Sequence, residues 1–335
     1  MPKGTYSMRL GIISNSLNDS NQIKKSIVGA MVAMLAPKLP HVCILLSTFN
    51  GDKYLQDQIE SLISQEGVSI SIVARDDGST DRTVEILKQG LLEGTINELV
   101  YDGHIGSTRS FVELMLKAPK ADYYAFCDQD DVWNSKKCQE LVNLLNNSNS
   151  ASIAFCNRRI IDGEGKFRKI VNTRPDKLVL NNAIIENSIP GNTMIINVKA
   201  LEVLTKIKWD NVVHYDALIY LYFSLSGEIY FCQKNLVDYR IHIGNQIGIK
   251  KNTIYRILNL RESLQSFRKN ADTIIGSKTF IIPSDKITYL ENFLDLWNSQ
   301  SFLLRISKLR KLRIKRQSNF ESLFLIIYFL FNCHK

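Results

Sequence analysis

The chain is poor in the residues that mark loop-rich, fibrous or disulfide-linked proteins. Among its 335 residues only 7 are proline and 17 are glycine, which excludes a collagen-like or loop-dominated architecture. The 6 cysteines form no C-x-x-C pair. Four of them lie in apolar runs, where a reduced core thiol is expected: Cys43, Cys127, Cys156 and Cys232. We therefore expect a reducing, cytoplasmic compartment.

Long apolar runs are also missing from the sequence. A transmembrane helix needs about 20 apolar residues, and neither Ile27–Ala36 nor Leu323–Phe331 reaches that length. Hydrophobic residues make up 45% of the chain and charged residues 22%, which is the balance of an ordinary globular protein. Wholesale disorder and a polytopic membrane protein are therefore excluded, and the length predicts about two folding units.

The positive charge is concentrated in one segment near the end of the chain. The net charge is +9, yet the stretch from Lys250 to Ser318 alone holds 15 basic and 5 acidic residues. The rest of the chain is therefore close to neutral. A localised basic segment favours an anionic partner, which could be nucleic acid, acidic lipid or a phosphorylated substrate.

Apolar runs alternate with helical spacing from His41 onward. Short apolar runs indicate buried strands at Val42–Ser47, Ser69–Ala74, Glu98–Tyr101 and Tyr123–Cys127. Helical spacing follows each of them at Lys53–Ser64, Thr83–Leu92, Ser110–Leu116 and Lys136–Leu145. This alternation predicts an α/β fold, with a doubly wound, mostly parallel sheet flanked by helices.

The pattern changes after Ile153 and predicts the division of the chain. Further strands are expected at Ser152–Cys156, Met194–Asn197 and Ile229–Phe231, and helices at Val212–Ser226, Ile254–Phe267, Lys286–Trp297 and Phe302–Arg316. We predict a weakly patterned extension over residues 1–40, an α/β domain over 41–250 and a basic helical region over 251–335. Met31 and Met34, just before the first strand, are candidate translation starts.

Polar side chains gather where the first, second and fourth strands end. Ligands of open α/β sheets bind beyond the carboxyl ends of the strands, so Thr48–Asn50, Asp76-Asp77 and Asp128–Asp131 should converge. Three carboxylates within Asp128–Asp131 repel one another unless a cation or hydrogen bonds compensate. Hard oxygen ligands suit Mg²⁺ or Mn²⁺, which could bridge the protein and a diphosphate. The alternative is an acidic loop that caps the following helix.

The pair Asp76-Asp77 allows two interpretations. A carboxylate at a strand end can accept a hydrogen bond from the N–H of a pyrimidine base. Either member of the pair could instead form an Asx turn that supports Gly78.

Four strings resemble family 2 glycosyltransferases with the GT-A fold. They are STFNG (Ser47–Gly51), RDDGSTDRT (Arg75–Thr83), HIGSTRSF (His104–Phe111) and FCDQDDVW (Phe126–Trp133). The last string is similar to bacterial enzymes that transfer rhamnose or O-antigen hexoses. Weaker similarity continues through Asn187–Met194, Val213–Asp216 and Asp238–Asn245, so the resemblance covers roughly residues 41–250. It implies a sugar transferase with a GT-A domain followed by a basic helical segment.

The resemblance implies how a nucleotide-sugar donor would be held. Thr48, Asn50 and Asp77 would line the nucleoside pocket, and Asp128 would contact the ribose or the metal.

Asp130 would ligate Mn²⁺ or Mg²⁺ at the diphosphate, with Asp131 supporting it from behind. His242 stands where the family can reach the diphosphate or the metal, although a loop histidine with backbone bonds is the alternative. Arg240 could contact phosphate or pair with Asp238.

The resemblance also implies a general base and an acceptor side. Enzymes of this type usually invert the anomeric centre, with one carboxylate removing the proton of the acceptor hydroxyl. Asp216 is our candidate, and His214 is a rival base or a supporting partner. Gly191–Thr193 resembles the acceptor-side loop. Trp133 could stack on a sugar, with a core aromatic as the alternative.

A basic stretch near the end of the chain predicts contact with a membrane. Within twelve residues and without one acid lie Arg305, Lys308, Arg310, Lys311, Arg313, Lys315 and Arg316, and the apolar Leu323–Phe331 follows. A basic amphipathic helix with an apolar continuation predicts an interfacial anchor on an anionic membrane. The alternative is a helix packed on the α/β domain. Nucleic acid is not expected, since no nucleic-acid motif is present.

These observations together predict an inverting, metal-dependent glycosyltransferase. We expect it to transfer a hexose from UDP-glucose or UDP-galactose to an acceptor of the GlcNAc-diphosphate-undecaprenol type. dTDP-rhamnose is the alternative donor. The pathway would be O-antigen or surface-polysaccharide synthesis at the cytoplasmic face of the bacterial inner membrane, with peripheral attachment. A nucleotidyltransferase and a non-catalytic membrane scaffold rank lower, the first because Ser47–Gly51 is not a Gly-rich basic phosphate loop.

Overall fold

The computed structural model describes residues 38–171, 173, 178–242, 259–277 and 282–331. Almost the whole predicted extension over residues 1–40, with both candidate translation starts, lies outside these residues. The same holds for 243–245 of the weaker similarity and for 254–258 of the helix predicted at Ile254–Phe267. From Pro40 on, the chain forms one compact unit.

The first half of this unit confirms the predicted parallel sheet. Its strands are β1 (His41–Thr48), β2 (Ser69–Asp76), β3 (Glu98–Tyr101) and β4 (Tyr123–Asp128), in the spatial order β3-β2-β1-β4. All three pairs in this set are parallel. Parallel neighbours need crossover connections, which are supplied by α1 (Leu55–Ile63), α2 (Thr83–Glu93) and α3 (Ser107–Lys117). The polar ends of β1, β2 and β4 therefore meet at one edge.

The second half extends the sheet with antiparallel and parallel pairs. Its elements are β5 (Val132–Trp133), α4 (Lys137–Leu145), β6 (Ser152–Asp162), β7 (Phe167–Val171), α5 (Leu180–Ala183), a 3-10 turn (Gly191–Thr193), β8 (Met194–Asn197), α6 (Val198–Leu204), α7 (Tyr215–Ser226) and β9 (Glu228–Ile241). The order continues β4-β8-β6-β9-β5, with β7 paired to β6. β8 is antiparallel to both of its neighbours, and β9 is parallel to β6.

Two strands are much longer than the sequence predicts. β6 continues to Asp162 and β9 to Ile241, whereas the apolar runs end at Cys156 and Phe231. The added halves carry exposed and half-exposed polar residues, so no continuous apolar run marks them. The helix predicted from Val212 begins only at Tyr215.

Both faces of the central sheet are buried. Val42, Ile44 and Leu46 of β1 pack into one hydrophobic cluster, while Cys43 and Leu45 pack into the other. Successive strand residues point to opposite faces, and both faces here are covered, so β1 reads as an unbroken apolar run. Buried free thiols within this core are Cys43, Cys127, Cys138 and Cys156.

Four helices follow the sheet and pack on one another in chain order, with the first of them against α7. They are α8 (Leu260–Gly276), α9 (Ser284–Asn298), α10 (Phe302–Leu312) and α11 (Asn319–Phe331). The prediction of one helix over Phe302–Arg316 is wrong at its end, because Arg313 adopts a left-handed conformation with φ of 48°. Beyond it, Arg316 is buried and forms ion pairs with Glu186 and Glu321, which draws the chain onto the sheet domain. Within the described ranges, no helix combines the length and the hydropathy needed to cross a bilayer.

Candidate active site

The loops after β1 and β2 are tied to each other by side chains. Thr48 Oγ1 donates to Asp76 Oδ1 at 3.0 Å, and Asn50 Oδ1 accepts from the Thr80 backbone N–H at 2.8 Å. Asn50 has a φ of 50°, a conformation that asparagine tolerates better than most residues. Two of the residues predicted to line a nucleoside pocket therefore lie together at the carboxyl edge of the sheet.

The two members of the pair Asp76-Asp77 have different roles in the fold. Asp76 Oδ2 accepts from the backbone N–H groups of Gly78 and Ser79, at 3.0 and 2.8 Å. This is the Asx-type turn that supports Gly78, whose φ is 85°. Of the two carboxylates, Asp77 is the one that remains for other partners.

Asp77 anchors the loop that follows β3. Its carboxylate accepts from the backbone N–H groups of Ile105 and Gly106, at 2.8 and 2.9 Å. Arg75, which the sequence reasoning missed, is fully buried and forms 2.8 Å ion pairs with Asp77 and Glu113. The sequence did contain a signal for Arg75, since it is a charged residue at the end of a buried strand and directly precedes the acidic pair. Contact between Asp77 and a base stays a prediction.

A second missed residue, Gln129, joins the first motif to the acidic loop. Its amide donates to the Phe49 carbonyl at 2.8 Å and accepts from the Phe49 N–H at 2.6 Å. A Cβ at Gly51 would overlap the Gln129 side chain, so only glycine permits this approach. The Gln129 pairing therefore sets the distance between the β1 and β4 loops.

The acidic loop gathers more negative charge than its surroundings balance. Burial and the carboxylates of Asp130 and Asp216 raise the pKa of Asp128 to about 7, while Arg158 acts in the opposite direction. Burial, with Asp130 and Asp128 adding to it, also raises the pKa of Asp131 well above its usual range. The alternative of an acidic loop that caps the following helix is wrong, because the first turn of α4 is capped by Gln65, whose Oε1 accepts the Cys138 N–H at 2.9 Å.

The predicted metal ligands come together as a pair rather than as a triad. His242 Nε2 lies 2.8 Å from Asp130 Oδ2, and the His242 ring lies against Tyr54 at a centroid distance of 4.7 Å. In the described part of the chain, no three His, Cys, Asp or Glu side chains are close enough together to hold one metal ion. Protein sites for Mg²⁺ at phosphates often supply one or two carboxylates and leave the rest to substrate and water. The donor set therefore fits a divalent cation that a diphosphate would complete.

Asp131 and Arg240 support the acidic loop from the side of β9. The Arg240 backbone N–H donates to Asp131 Oδ1 at 3.2 Å, and its Nε donates to the Asp130 carbonyl at 3.0 Å. The Arg240 guanidinium pairs with Asp57 at 3.2 Å. The alternative pairing with Asp238 is wrong, because Asp238 forms two 2.5 Å hydrogen bonds with Arg159 on the neighbouring strand.

The turn Gly191–Thr193 connects the acidic loop to α7. The Gly191 N–H donates to Asp216 Oδ2 at 3.2 Å, and Asn192 Nδ2 donates to Asp131. Asp216 lies in the first turn of α7, where the positive end of the helix dipole favours a carboxylate. His214 precedes the helix half-buried, and its side chain has no hydrogen-bond partner among the described residues. The predicted base and acceptor-side loop are thus in direct contact.

A buried lysine under this turn was missed by the sequence reasoning. Lys137 Nζ donates to the Asn192 carbonyl at 2.6 Å and lies 2.9 Å from the centroid of the Trp133 ring. Burial lowers the pKa of Lys137 to about 8. Trp133 is itself buried, so stacking on a sugar is wrong and the alternative of a core aromatic holds. A lysine on the apolar face of a predicted helix was the signal for this arrangement.

A family model for glycosyl transferase family 2 matches residues 43–218, which is more than half of the chain and includes all of these motifs up to α7. The chain belongs to glycosyl transferase family 2. Among the relatives of this glycosyltransferase is the dTDP-rhamnosyl transferase RfbG of Shigella flexneri, which is 28% identical over 217 residues, or 61% of this chain and 73% of that protein.

Solved structures confirm the GT-A fold of this family 2 glycosyltransferase. TarS of S. aureus in complex with UDP-GlcNAc is 16% identical with a TM-score of 0.54, covering 87% of this chain and 81% of that chain. The mannosyltransferase PcManGT of Pyrobaculum calidifontis, in complex with GDP-Man and Mn²⁺, is 13% identical with a TM-score of 0.54, covering 89% and 86%. Identities this low support the fold alone.

Proposed function

We propose that this glycosyltransferase transfers one hexose, with inversion, from a pyrimidine nucleoside diphosphate sugar to a lipid-linked saccharide in surface-polysaccharide synthesis. The observation that carries the proposal is the turn Gly191–Thr193, which hydrogen-bonds Asp216 on one side and Asp131 of the acidic loop on the other. A general base and a diphosphate site would then lie side by side, as a single displacement requires.

In this reaction, Asp216 would accept the proton of the acceptor hydroxyl as its oxygen forms a bond to C1 of the sugar. The bond from C1 to the diphosphate breaks on the opposite face, and the configuration at C1 inverts. Asp130 and His242 would hold Mn²⁺ or Mg²⁺, and Asp128 would contact it or the ribose. When bound, the cation would neutralise the negative charge of the leaving diphosphate.

The choice of donor rests on a relative. The name of the Shigella flexneri dTDP-rhamnosyl transferase supports dTDP-rhamnose, and UDP-glucose or UDP-galactose is the second candidate. Both classes present a pyrimidine N–H and a diphosphate, so the residues at the edge of the sheet suit either one.

Transfer of sugar to a GlcNAc-diphosphate-lipid tests this function. The purified protein is offered dTDP-rhamnose, UDP-glucose and UDP-galactose in parallel, and mass spectrometry detects the product. We expect one donor to give product with Mn²⁺. Excess EDTA should abolish that product, because no cation would then neutralise the charge of the leaving diphosphate. Undiminished transfer in EDTA would refute the metal. A product whose NMR spectrum shows retained configuration at C1 would refute the single displacement. Failure to bind any of the three donors would refute the donor class.

We also propose peripheral attachment to the cytoplasmic face of the bacterial inner membrane. Two helices expose apolar side chains, which we call the tail face: Phe302, Leu303 and Leu304 on α10, with Phe320, Leu323, Ile327 and Phe331 on α11. The rings of Phe302 and Phe331 lie 5.8 Å apart, so the two helices contribute to one face. Exposed positive charge on the same region comes from Arg310, Lys311 and Arg313.

The charge available to a membrane is smaller than the sequence suggests. Arg305 and Arg316 are buried, and Arg305 Nη1 donates to the Leu330 carbonyl at 2.7 Å, near the end of α11. Lys308 pairs with Asp295 at 3.0 Å. Part of the basic stretch therefore holds the helices together, and apolar contact would carry more of the attachment.

Sedimentation with lipid vesicles tests the tail face. We expect the protein to bind phosphatidylglycerol vesicles more strongly than phosphatidylcholine vesicles, and less strongly at high salt, because surface charges are screened. The double variant Leu303→Ser/Phe331→Ser should lower binding about thirtyfold, since each of the two apolar side chains in the interface contributes roughly 1 kcal/mol or more. Leu92→Ser, which alters an 83% exposed leucine on α2, is the matched control. Equal losses for the two variants would refute the tail face.

A further inference from the structure

A cavity opens beside the turn Gly191–Thr193. Its volume is about 180 Å³, against roughly 10–15 Å³ for a single water on the same measure. Pro190 and Thr193 form one wall next to the residue that hydrogen-bonds Asp216. The lining also includes β6, β7 and the residue two beyond β7, with Cys156, Asn157, Arg158, Val171 and Thr173.

The pairing of β6 with β9 is irregular at Asn157, which lines this cavity. The pairing of β6 with β9 shifts register on both sides of Asn157. Bulges of this kind turn side chains out of the regular alternation and occur often beside active sites. Both ends of the Asn157 amide are used, since Nδ2 donates to the Gln233 carbonyl at 2.9 Å and Oδ1 accepts from the Thr173 N–H at 3.0 Å. The shape of this wall is therefore held in place by hydrogen bonds.

Arg158 is the charged group of the cavity that has no ion-pair partner within the described residues. Its guanidinium lies over the Tyr239 ring, 4.5 Å from the centroid, which orients it without using its five N–H donors. Arg158 therefore places a cation in the lining of a cavity that also borders Pro190 and Thr193, on either side of the Gly191 N–H that donates to Asp216.

The remaining polar groups of the cavity are already committed to the fold. Ser188 donates to Asn182 at 2.7 Å, and the Gln317 N–H donates to Glu186, which also pairs with Arg316. These contacts join the segment before α11 to the cavity wall. The cavity thus lies between the predicted base and the segment that leads to the tail face.

From this arrangement we infer that the cavity binds the acceptor, and that Arg158 binds a phosphate group attached to the acceptor saccharide. The inference rests on the proposed function and adds the cavity and the residue that recognise the phosphate of the expected acceptor. A guanidinium presents several N–H donors in one plane and suits phosphate oxygens. The acceptor hydroxyl would then face Asp216 from the Gly191 side, while the phosphate and its lipid extend toward Gln317 and α11.

Binding of GlcNAc 1-phosphate tests the inference without requiring transfer. Calorimetry measures this probe, and GlcNAc itself, against the protein saturated with Mg²⁺ and with UDP or dTDP, so that the donor site is filled. We expect the phosphate to improve affinity about tenfold, and Arg158→Met to remove that gain, because hydrogen bonds to charged groups contribute roughly 1.5–3 kcal/mol. Arg159→Met is the matched control, since the exposed Arg159 is the next residue on the strand and pairs with Asp238.

Kinetics separate this role from a structural or donor-side role. With a diphosphate-linked acceptor, Arg158→Met should raise the acceptor KM about tenfold and leave the donor KM and the melting temperature unchanged, and Arg158→Lys should recover part of the loss. For an acceptor with a neutral linker, the acceptor KM should be the same for the wild type and for Arg158→Met. A raised donor KM, equal losses with both acceptors, or phosphate-independent binding would overturn the inference. If Arg158-dependent binding were seen without transfer from any donor, the proposed function would fail and the phosphate site would stand.

Discussion

Replacement of Asp216 with asparagine is expected to lower the transfer rate by roughly 10²–10⁴-fold, the usual contribution of a general base. Asparagine has nearly the same shape and its Oδ1 can still accept the Gly191 N–H, which Asp216 accepts at 3.2 Å. The turn should therefore keep its position, and donor affinity should change by less than about threefold, well under 1 kcal/mol. Single-turnover kinetics and donor titration measure the two quantities.

Two further variants make the Asp216 result decisive. Asp210→Asn alters an exposed carboxylate in the segment before α7 and should leave transfer unchanged. His214→Gln removes the rival base, and we expect it to cost much less than Asp216→Asn because, among the described residues, the turn hydrogen-bonds the Asp216 side chain and not that of His214. A larger loss from His214→Gln than from Asp216→Asn would assign the base to His214.

Replacement of Gly191 with alanine is expected to destabilise the protein and to impair transfer. A Cβ at this position would overlap Tyr215 Oη and lie 2.6 Å from its Cζ. Tyr215 cannot yield easily, because its ring packs against Phe111 and Phe126 at centroid distances of 4.4 and 5.1 Å. Overpacking of this kind costs about 1–3 kcal/mol or more, and we expect about 3 kcal/mol less free energy of unfolding. Movement of the Gly191 N–H away from Asp216 should lower transfer as well.

Urea denaturation of Gly191→Ala and of a control glycine measures this effect. Gly276 ends α8, and no atom of the described residues lies within 4 Å of a Cβ added there. Gly276→Ala should therefore leave the protein at least as stable as wild type, since alanine is favoured over glycine in helices by about 1 kcal/mol. Equal stability of Gly191→Ala and Gly276→Ala would show that Tyr215 relaxes and that the turn is not held as tightly as its contacts indicate.

The sequence alone predicted the parallel half of the sheet and the polar residues at its edge. β1 is buried on both faces, so its apolar run is continuous, and the polar residues Thr48 and Asp128 mark where two such strands end. The family resemblance extended this reading to the turn at Gly191 and to Asp216. The second half was harder, because β6 and β9 continue into polar segments and lose the pattern that identifies a strand.

The partners of individual side chains were decided only by the tertiary structure. The sequence offered Asp238, two residues away, as a partner for Arg240, but the folded chain pairs Arg240 with Asp57, which is 183 residues distant. Lys137 lies under the turn at Asn192, 55 residues away. In the same way, burial of Trp133 under Lys137 excluded a sugar-stacking role that its position in the motif allowed.

Local composition and periodicity determine which segments become strands and where their polar ends lie, since these depend on neighbours within a few residues. They contain no information on which strands are adjacent or in which register they pair. The contacts of Arg75, Lys137, Arg158 and Arg240 depend on that order and register, and so do the end of α10 at Leu312 and the cavity beside Gly191. These features exist only once β8, β6 and β9 have been placed beside β4 in the sheet.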